Sequence, residues 1–352
     1  MSSPSDAVIK NAWYVAAQPA HLSRDLLARR IADEPMVLYR TEDGTAVALE
    51  DRCPHRGYLL SRGKLSGNRL ICGYHGFTFD PNGRCVAVPG QTSIPAAAKT
   101  RAYPVVERDG VVWVYAGDPT LADPAAIPSH AWLREWNCVS GYARIRARVV
   151  LLIDNLVDLS HETYLHPSQI GSPEVAETPI DSNADGNVVR INRRMLGVEC
   201  PPFYQSVAGL RTPIDRSQEI EFCAPGFYVL STRVAAAGDR GPGFRTKIVH
   251  GLTPETAHTA HDFWWIVRDI DRNDIANDPS TIARQTAVLQ EDILALEALE
   301  ESFSGNRTMT EVSIGIDRGG LLSRRVLADL AKAEQAWLTP KRARPKLRKI
   351  VS

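Results

Sequence analysis

The first third of the chain alternates apolar and polar residues in short runs that are broken by turn dipeptides. An Asp-Gly dipeptide interrupts the runs MVLYRTEDGTAVALED and YPVVERDGVVWVYAG, and an Asn-Gly dipeptide interrupts FTFDPNGRCVAV. Alternation on both sides of such a dipeptide is the strongest short-range sign of a β-hairpin. No helical periodicity is found between residues 10 and 118. This part of the sequence therefore predicts a small antiparallel β domain.

A Pro- and Ala-rich stretch, GDPTLADPAAIPS, ends this pattern and predicts a linker. Beyond it, apolar residues recur with helical spacing at about 150–165, 280–303 and 321–336. Strand-like runs lie between these helices: NVVRINRRM, SQEIEFC, GFYVLSTRV, FRTKIVHGL and HDFWWIVRD. Strands grouped in this way predict an α+β domain, an antiparallel sheet flanked by helices. We therefore divide the chain into domains at 1–118 and 119–340, followed by a basic tail at 341–352.

Chain length and composition indicate the number of domains and exclude several classes of protein. A chain of 352 residues suits two domains. Its 41 basic and 41 acidic side chains cancel, so no net charge draws it to nucleic acid or to an anionic membrane. The longest aliphatic run, Val149–Ile153, is too short to span a bilayer. The N-terminus lacks a secretion signal, and we expect a cytoplasmic protein. The tail is either a solvated terminus or a docking patch for an acidic partner.

Two Cys-His pairs are the first candidates for chemistry. His55 follows Cys53 by two residues, and His75 follows Cys72 by three. Zinc fingers usually place two cysteines close together and two histidines close together, whereas each loop here offers one sulfur and one nitrogen. A two-iron cluster in which one iron takes both cysteines and the other takes both histidines fits this order. We therefore favour a Rieske-type [2Fe-2S] cluster over a structural zinc ion.

A second constellation lies in the segment LLIDNLVDLSHETYLHPS. Its leucines have helical spacing and predict a half-buried helix, on one face of which Asp154, Asp158 and His161 would lie. His166 follows five residues after His161, and Pro167 biases it away from helical conformation. A helix that ends between the two histidines would let both of them bind one metal ion.

Two histidines and one carboxylate on iron(II) leave coordination positions open for dioxygen and substrate. The carboxylate has to come from a distant part of the chain. The segment LQEDILALEALE offers Asp292, together with Glu291, Glu297 and Glu300. The sequence pattern alone does not choose among these four acids.

With these residues in view, the chain resembles the oxygenase subunits of Rieske non-haem iron oxygenases. CPHRG and CGYHG are similar to the cluster loops of that family, and Asn155, Asp158, His161 and His166 match its mononuclear-iron motif. Asp292 lies where the family places its carboxylate ligand. IDNLVDLSHETYLHPSQIG and HGLTPET are most similar to vanillate O-demethylase oxygenases and related aromatic O-demethylases. Tyr58 and Gly73 replace the disulfide cysteines of respiratory Rieske proteins, which is typical of the lower-potential oxygenase type.

The resemblance implies a role for each of these residues. It assigns the cluster to Cys53, His55, Cys72 and His75, and the iron to His161, His166 and Asp292, with Asn155 and Asp158 as further catalytic residues. It also implies a homotrimer in which Asp158 links His75 of one chain to His161 of the next. A carboxylate between two imidazole N–H groups would orient both rings.

The implied reaction is a monooxygenation that uses O₂ and electrons from NADH. A separate flavin and iron–sulfur reductase would deliver the electrons near the exposed rim around His55. Attack on the methoxy group of a vanillate-like aromatic acid would give a phenol and formaldehyde. A substrate carboxylate needs a cation or hydrogen-bond donors, for which Arg193, Arg194, Arg245 and His250 are the candidates.

Three alternatives stay open from the sequence. The protein could be a Rieske oxygenase that hydroxylates the ring or a methyl group of another aromatic compound. It could instead be an electron carrier whose second domain only binds partners. The third alternative is a zinc-binding interaction module.

Overall fold

The computed structural model describes residues 7–135, 137–268, 279–305 and 311–339. The predicted tail at 341–352 lies outside these residues. No helix within the described ranges is long and apolar enough to cross a membrane.

The N-terminal domain is built from short antiparallel strands, as the alternating pattern predicts. Across residues 7–135 the strands are β1 (Trp13–Ala17), β2 (Leu27–Ile31), β3 (Glu34–Arg40), β4 (Ala46–Glu50), β5 (Lys64–Ser66), β6 (Arg69–Ile71), β7 (Thr78–Phe79), β8 (Cys85–Ala87), β9 (Ala102–Tyr103), β10 (Val105–Arg108) and β11 (Val111–Tyr115). They form three sheets with the orders β1-β11-β10, β2-β3-β4-β9 and β5-β6-β7-β8. The four-stranded β5–β8 sheet carries the second Cys-His loop between β6 and β7.

One antiparallel sheet forms the centre of the C-terminal domain. Its strands are β12 (Asn137–Ile145), β13 (Asp181–Asp185), β14 (Val188–Val198), β15 (Ile214–Cys223), β16 (Phe227–Ala236), β17 (Phe244–Thr256) and β18 (Thr259–Arg268). Strands β13 to β18 follow one another as a meander, and β12 pairs with β18 at the far edge. Each of the five strand-like runs of the sequence corresponds to one of the strands β14 to β18, apart from the end residues Asn187 and Gly226; Asp269 lies outside the described residues.

The helices of the described chain are α1 (Trp132–Glu135), α2 (Val149–Val157), α3 (Glu162–Leu165), α4 (Pro173–Glu177), α5 (Pro202–Ala208), α6 (Pro279–Gly305) and α7 (Arg318–Leu338). Short 3₁₀ turns lie at Pro19–His21, Leu60–Arg62, Pro119–Leu121, Pro124–Ala126, Leu159–His161 and Gly315–Asp317. The predictions of helices near 280–303 and 321–336 are confirmed as α6 and α7. The helical spacing at about 150–165 corresponds to α2, a 3₁₀ turn and α3 in succession; the helix ends before His166, as the predicted metal site requires, but already at Val157, because the chain leaves helical conformation at Asp158.

The large sheet is covered on both faces. On one face, Phe222 and Leu252 pack with α2, α6 and α7 around Leu296 and Leu327. On the other face, Phe227, Val249, Phe263 and Trp265 pack against Trp13 and Trp113 of the N-terminal domain. Because successive strand residues point to opposite faces, β18 is buried at nearly every position, which explains its apolar run FWWIV.

Backbone hydrogen bonds also join the two domains. The N–H groups of Ala32 and Asp33 donate to the carbonyls of Pro254 (2.7 Å) and Glu255 (3.1 Å). The ring of His261 bonds the carbonyl of Arg30 at 2.9 Å. The N-terminal hairpin β2–β3 is thus fixed to the end of β17.

Candidate metal centres and substrate pocket

Two loops of the same shape present the four Cys and His side chains. In each loop the cysteine N–H donates to the carbonyl five residues further on (2.9 and 2.8 Å). A glycine four residues after each cysteine, Gly57 and Gly76, donates back to the cysteine carbonyl (2.8 and 3.1 Å). Both glycines have a positive φ, 72° and 73°, which favours glycine over residues with a side chain. The spacing between cysteine and histidine differs by one residue between the two loops, but both loops have the same backbone hydrogen bonds.

The loops bury two thiols beneath two exposed imidazoles. Cys53 and Cys72 are each 2% exposed, whereas His55 and His75 are exposed, with ring centroids 4.6 Å apart. Burial raises the pKa of the Cys53 thiol to about 11, and the adjoining Cys72 thiol adds to the shift. Binding of a metal would deprotonate these thiols, because cysteine ligates metals as the thiolate.

The four side chains suit a cluster better than a single ion. A tetrahedral zinc ion, with bonds of about 2.0–2.3 Å, would bring all its ligand atoms within about 4 Å of one another. Among the described residues, the group whose ligand atoms all lie within 4.8 Å is His161, His166 and Asp292, and the Cys-His set is not such a group. Ligands spread over two irons give this wider spacing.

Asp158 ends the helix that leads to the second site. Its φ and ψ are −116° and 96°, and its side chain accepts a hydrogen bond from the N–H of Ser160 (2.9 Å). Such local bonds compete with helix formation. The prediction that Asp154, Asp158 and His161 share one helix face is therefore wrong: Asp154 instead binds Arg324 of α7.

The break brings both histidines to one point. His161 ends the 3₁₀ turn, and His166 follows α3 with a φ of −121° and a ψ of 43°, outside the helical region as Pro167 predicts. Asp292 on α6 completes the group: its Oδ1 lies 3.5 Å from Nε2 of His161 and 3.2 Å from Nε2 of His166. Asp292 is 8% exposed and His166 is 1% exposed.

Hydrogen bonds fix which ring nitrogens face Asp292. Nδ1 of His161 lies 2.6 Å from the backbone carbonyl of Asp158, and Nδ1 of His166 lies 2.5 Å from the Glu291 carboxylate. Since a carbonyl and a carboxylate only accept, each Nδ1 carries the hydrogen. Two Nε2 lone pairs then point at a carboxylate oxygen, an arrangement that repels unless a cation lies between them. The site therefore fits a divalent metal.

The pKa of His166 supports the same conclusion. Burial disfavours its imidazolium form, but the hydrogen bonds to Asp292 and Glu291 outweigh burial and raise the pKa above its ordinary value. Without a metal, a proton supplies the cation that this site favours.

The four acids that the sequence offers as the third metal ligand have different partners in the structure. Glu291 binds the far nitrogen of His166, Glu297 pairs with Arg146, and Glu300 pairs with Arg148. Asp292 alone of these four belongs to the converging group. Nδ2 of Asn155 donates a hydrogen bond to Oδ1 of Asp292 (3.1 Å).

A cavity of about 110 Å³ opens beside this group, on the scale of a single aromatic ring. Its lining includes His161, His166 and Asp292, and its apolar wall includes Leu156, Leu159, Leu230, Ile248, Ile266 and Val288. A flat apolar molecule would therefore lie directly against the proposed metal position.

His250 lines the cavity; that it binds the substrate stays a prediction. Its Nδ1 lies 2.9 and 3.0 Å from the two oxygens of the fully buried Asp262, which leaves Nε2 for the cavity. Tyr228, its cross-strand neighbour, is 1% exposed and also lines the cavity. Its hydroxyl has no hydrogen-bond partner within the described ranges. Burial raises the Tyr228 pKa well above its usual value, so the hydroxyl keeps its hydrogen.

The predicted arginines lie elsewhere. Arg194 and Arg245 are exposed, and Arg193 is buried against Gln218 (3.2 Å); the cavity lining includes none of the three. Sequence reasoning missed Tyr228 and Asp262. The available signal was Asp262 itself, a carboxylate directly before the apolar run FWWIV of β18.

Asp158 is half-buried and lines a surface groove separate from the cavity, together with His161 and Asn155. His75 is exposed in the N-terminal domain. The inter-subunit link between them stays a prediction.

Comparison with known proteins assigns the family. The model of the Rieske [2Fe-2S] domain matches residues 12–104, and that of the vanillate O-demethylase oxygenase C-terminal domain matches residues 145–333. The chain belongs to the vanillate O-demethylase oxygenase family. This Rieske oxygenase is 36% identical to a vanillate O-demethylase oxygenase subunit of Pseudomonas sp. (strain HR199 / DSM 7063), over 93% of this chain and 96% of the relative.

Two further comparisons extend this assignment. The dicamba O-demethylase oxygenase component of Stenotrophomonas maltophilia is 36% identical over 83% of this chain and 88% of its own. A crystal structure of dicamba monooxygenase with non-heme iron and dicamba superposes with a TM-score of 0.80 at 32% identity, covering 94% of this chain and 99% of that one. The fold prediction and the enzyme prediction are confirmed: the protein is a Rieske-type aromatic monooxygenase with a [2Fe-2S] cluster and a mononuclear iron site. The zinc-module and electron-carrier alternatives are thereby excluded.

Proposed function

We propose that this oxygenase removes the methyl group of a methoxylated aromatic acid similar to vanillate and releases formaldehyde. The observation that carries the proposal is the convergence of His161, His166 and Asp292 beside an apolar, ring-sized cavity with polar groups on one wall. Iron(II) held by these three side chains would activate O₂, with open positions towards the cavity.

The cavity wall supports an aromatic acid as substrate. Leu230 and Ile248 offer an apolar surface to a ring, while His250 and Tyr228 offer polar atoms to its substituents. Asp262 accepts the hydrogen on Nδ1 of His250, so Nε2 faces the cavity as an acceptor for a substrate hydroxyl, while the Tyr228 hydroxyl can donate to a substrate carboxylate. A carboxylate or hydroxyl held there would orient the opposite side of the ring towards the iron.

Electrons reach the cluster from NADH through a separate reductase that docks at the exposed rim around His55. The oxygenase acts as a homotrimer, in which the Asp158 carboxylate bridges His75 of one chain and His161 of its neighbour. The exposure of both cluster histidines and the position of Asp158 on a surface groove support this route. So does the description of the Pseudomonas relative as an oxygenase subunit.

The test is turnover of a panel of methoxybenzoates with a generic reductase and NADH. We expect formaldehyde and the matching phenol from at least one vanillate-like acid. If none of the panel yields formaldehyde, the O-demethylase proposal is wrong. Hydroxylated product from a methyl-substituted arene would then support the alternative of methyl hydroxylation. Methyl-substituted arenes are included in the panel because a putative toluene-4-sulfonate monooxygenase iron-sulfur subunit of Comamonas testosteroni is 34% identical over 95% of this chain and 100% of the relative.

A further inference from the structure

The two histidines of the iron site lie on a segment with little regular structure of its own. Residues 159–170 consist of a 3₁₀ turn, the four-residue α3 and a loop. Short elements of this kind are marginal unless tertiary contacts hold them. Something outside the segment therefore has to fix the distance between His161 and His166.

Arg216 on β15 contacts both sides of this segment. One terminal nitrogen, Nη2, donates to the carboxylate of Glu162 at 2.8 Å, and the other, Nη1, donates to the carbonyl of Ile170 at 3.0 Å. Arg216 is 3% exposed and Glu162 is also 3% exposed. Gln218, two residues along the same strand, donates to the same carboxylate at 3.2 Å.

The segment between these two contacts is closed by its own backbone. The N–H of His166 donates to the carbonyl of Glu162, and the N–H of Gly171 donates to the carbonyl of His166, both at 3.1 Å. A Cβ at Gly171 would lie 2.1 Å from the Glu162 carbonyl oxygen, so the loop closes too tightly for any other residue. Fixing Glu162 and Ile170 thus fixes His166 between them, with His161 adjacent to Glu162.

We propose that Arg216 is a positioning residue that holds His161 and His166 in metal-binding geometry before the metal arrives. The inference rests on the proposed iron role of the two histidines. A buried ion pair contributes little net stability but can select one conformation. The planar fork of arginine suits this role, since its two terminal nitrogens bind two acceptors at fixed separation, which the single ammonium of lysine cannot do.

The test measures metal binding without substrate and without turnover. The full chain, with its cluster assembled and its mononuclear iron removed, is titrated with Co²⁺ and followed by the visible spectrum of the bound ion. We expect Arg216→Gln and Arg216→Lys to bind Co²⁺ about 10–100-fold more weakly than the parent, the usual effect of losing a residue that orients metal ligands. The cluster spectrum should stay unchanged.

Arg193→Gln is the matched control. Arg193 is also a buried arginine, on the neighbouring strand β14, and binds Gln218, but no hydrogen bond joins it to the described residues 159–170. We expect it to bind Co²⁺ as the parent does. Amide hydrogen exchange at His166 and Gly171 should be faster in Arg216→Gln than in the parent or in Arg193→Gln.

Parent-like Co²⁺ affinity in both Arg216 variants would overturn the proposal. Unchanged metal affinity with weaker substrate binding would also overturn it and would make Arg216 a substrate anchor, since it lines the cavity. If Arg216→Gln fails to fold, Arg216→Lys, which keeps the buried charge beside Glu162, decides the question. If the Arg216 variants lose metal affinity while the parent yields no formaldehyde, the O-demethylase activity is refuted and the role of Arg216 stands.

Discussion

Each histidine of the proposed iron site binds the protein through one ring nitrogen, which would leave the other for the metal. His161 donates to a backbone carbonyl, whereas His166 donates to the Glu291 carboxylate. A carboxylate on the far nitrogen fixes the ring and makes the ligand more basic. The orientation of His166 therefore depends on a side chain, and that of His161 depends on the backbone.

Replacing Glu291 by alanine should weaken metal binding without abolishing it. The ring of His166 would lose the acceptor of its Nδ1 hydrogen, and we expect about 10–100-fold lower Co²⁺ or Fe²⁺ affinity, measured by titration of the iron-free protein. Glu297→Ala on the same helix, which loses only the exposed pair with Arg146, is the control. Equal affinities for the two variants would contradict the role given to Glu291.

Tyr228→Phe should weaken substrate binding. Its buried hydroxyl lines the cavity beside His250 and has no partner in the described part of the chain, so a substrate oxygen would be the acceptor that it lacks. We expect the substrate Kd to rise roughly tenfold. Tyr39→Phe removes another buried hydroxyl without a described partner, in the N-terminal domain, and should leave the Kd unchanged. An unchanged Kd in Tyr228→Phe would mean that the substrate does not use this hydroxyl.

At the scale of elements, the sequence predicts the strands and the two long helices, because their periodicity extends over many residues. It fails at the end of α2, where the apolar spacing continues past Val157 while the Asp158 side chain binds the N–H of Ser160 and ends the helix. It also leaves open which acid of α6 completes the iron site. That choice depends on how α6 packs on α2, which no local pattern contains.

The docking of α6 on the start of α2 should make stability depend on pH. Burial opposes ionisation of Glu300, but Arg148 and His258 outweigh it and lower the Glu300 pKa to about 2. Because this folded-state pKa is below the ordinary value of about 4.5, the contribution is complete above that value and is lost as pH falls towards 2. Glu300→Gln should therefore lower the Tm at pH 7, with a difference from the parent that shrinks as pH falls below 4.5. A difference that stays constant with pH would contradict this pairing.

At the scale of the whole molecule, the large sheet has two separate functions on its two faces. One face forms the cavity wall with Tyr228 and His250, and the opposite face packs against the N-terminal domain through Phe227 and Val249. Alternation along the same strands produces both surfaces. The N-terminal domain therefore supports the sheet that carries the substrate pocket.

The domain contact should weaken in mild acid. His261 bridges Tyr142 and the carbonyl of Arg30, and burial lowers its pKa to about 4. The folded protein thus favours neutral His261, so stability is complete above the ordinary pKa of about 6.5 and falls as pH decreases from 6.5 towards 4. His261→Gln should flatten the decline in Tm over this range, while His21→Gln, at an exposed histidine of the 3₁₀ turn Pro19–His21, should not. A parent Tm that is constant from pH 7 to pH 4.5 would contradict the assignment.

The central claim is that two separate metal centres share this chain, with a cluster at Cys53, His55, Cys72 and His75 and one iron at His161, His166 and Asp292. The most direct measurement is iron and acid-labile sulfide content, with the cluster spectrum, in the parent and in Asp292→Ala. The parent should contain one iron beyond the two that match its sulfide, and Asp292→Ala should lose that iron while the cluster spectrum persists. Retention of the extra iron by Asp292→Ala, or zinc without sulfide in the parent, would contradict the account.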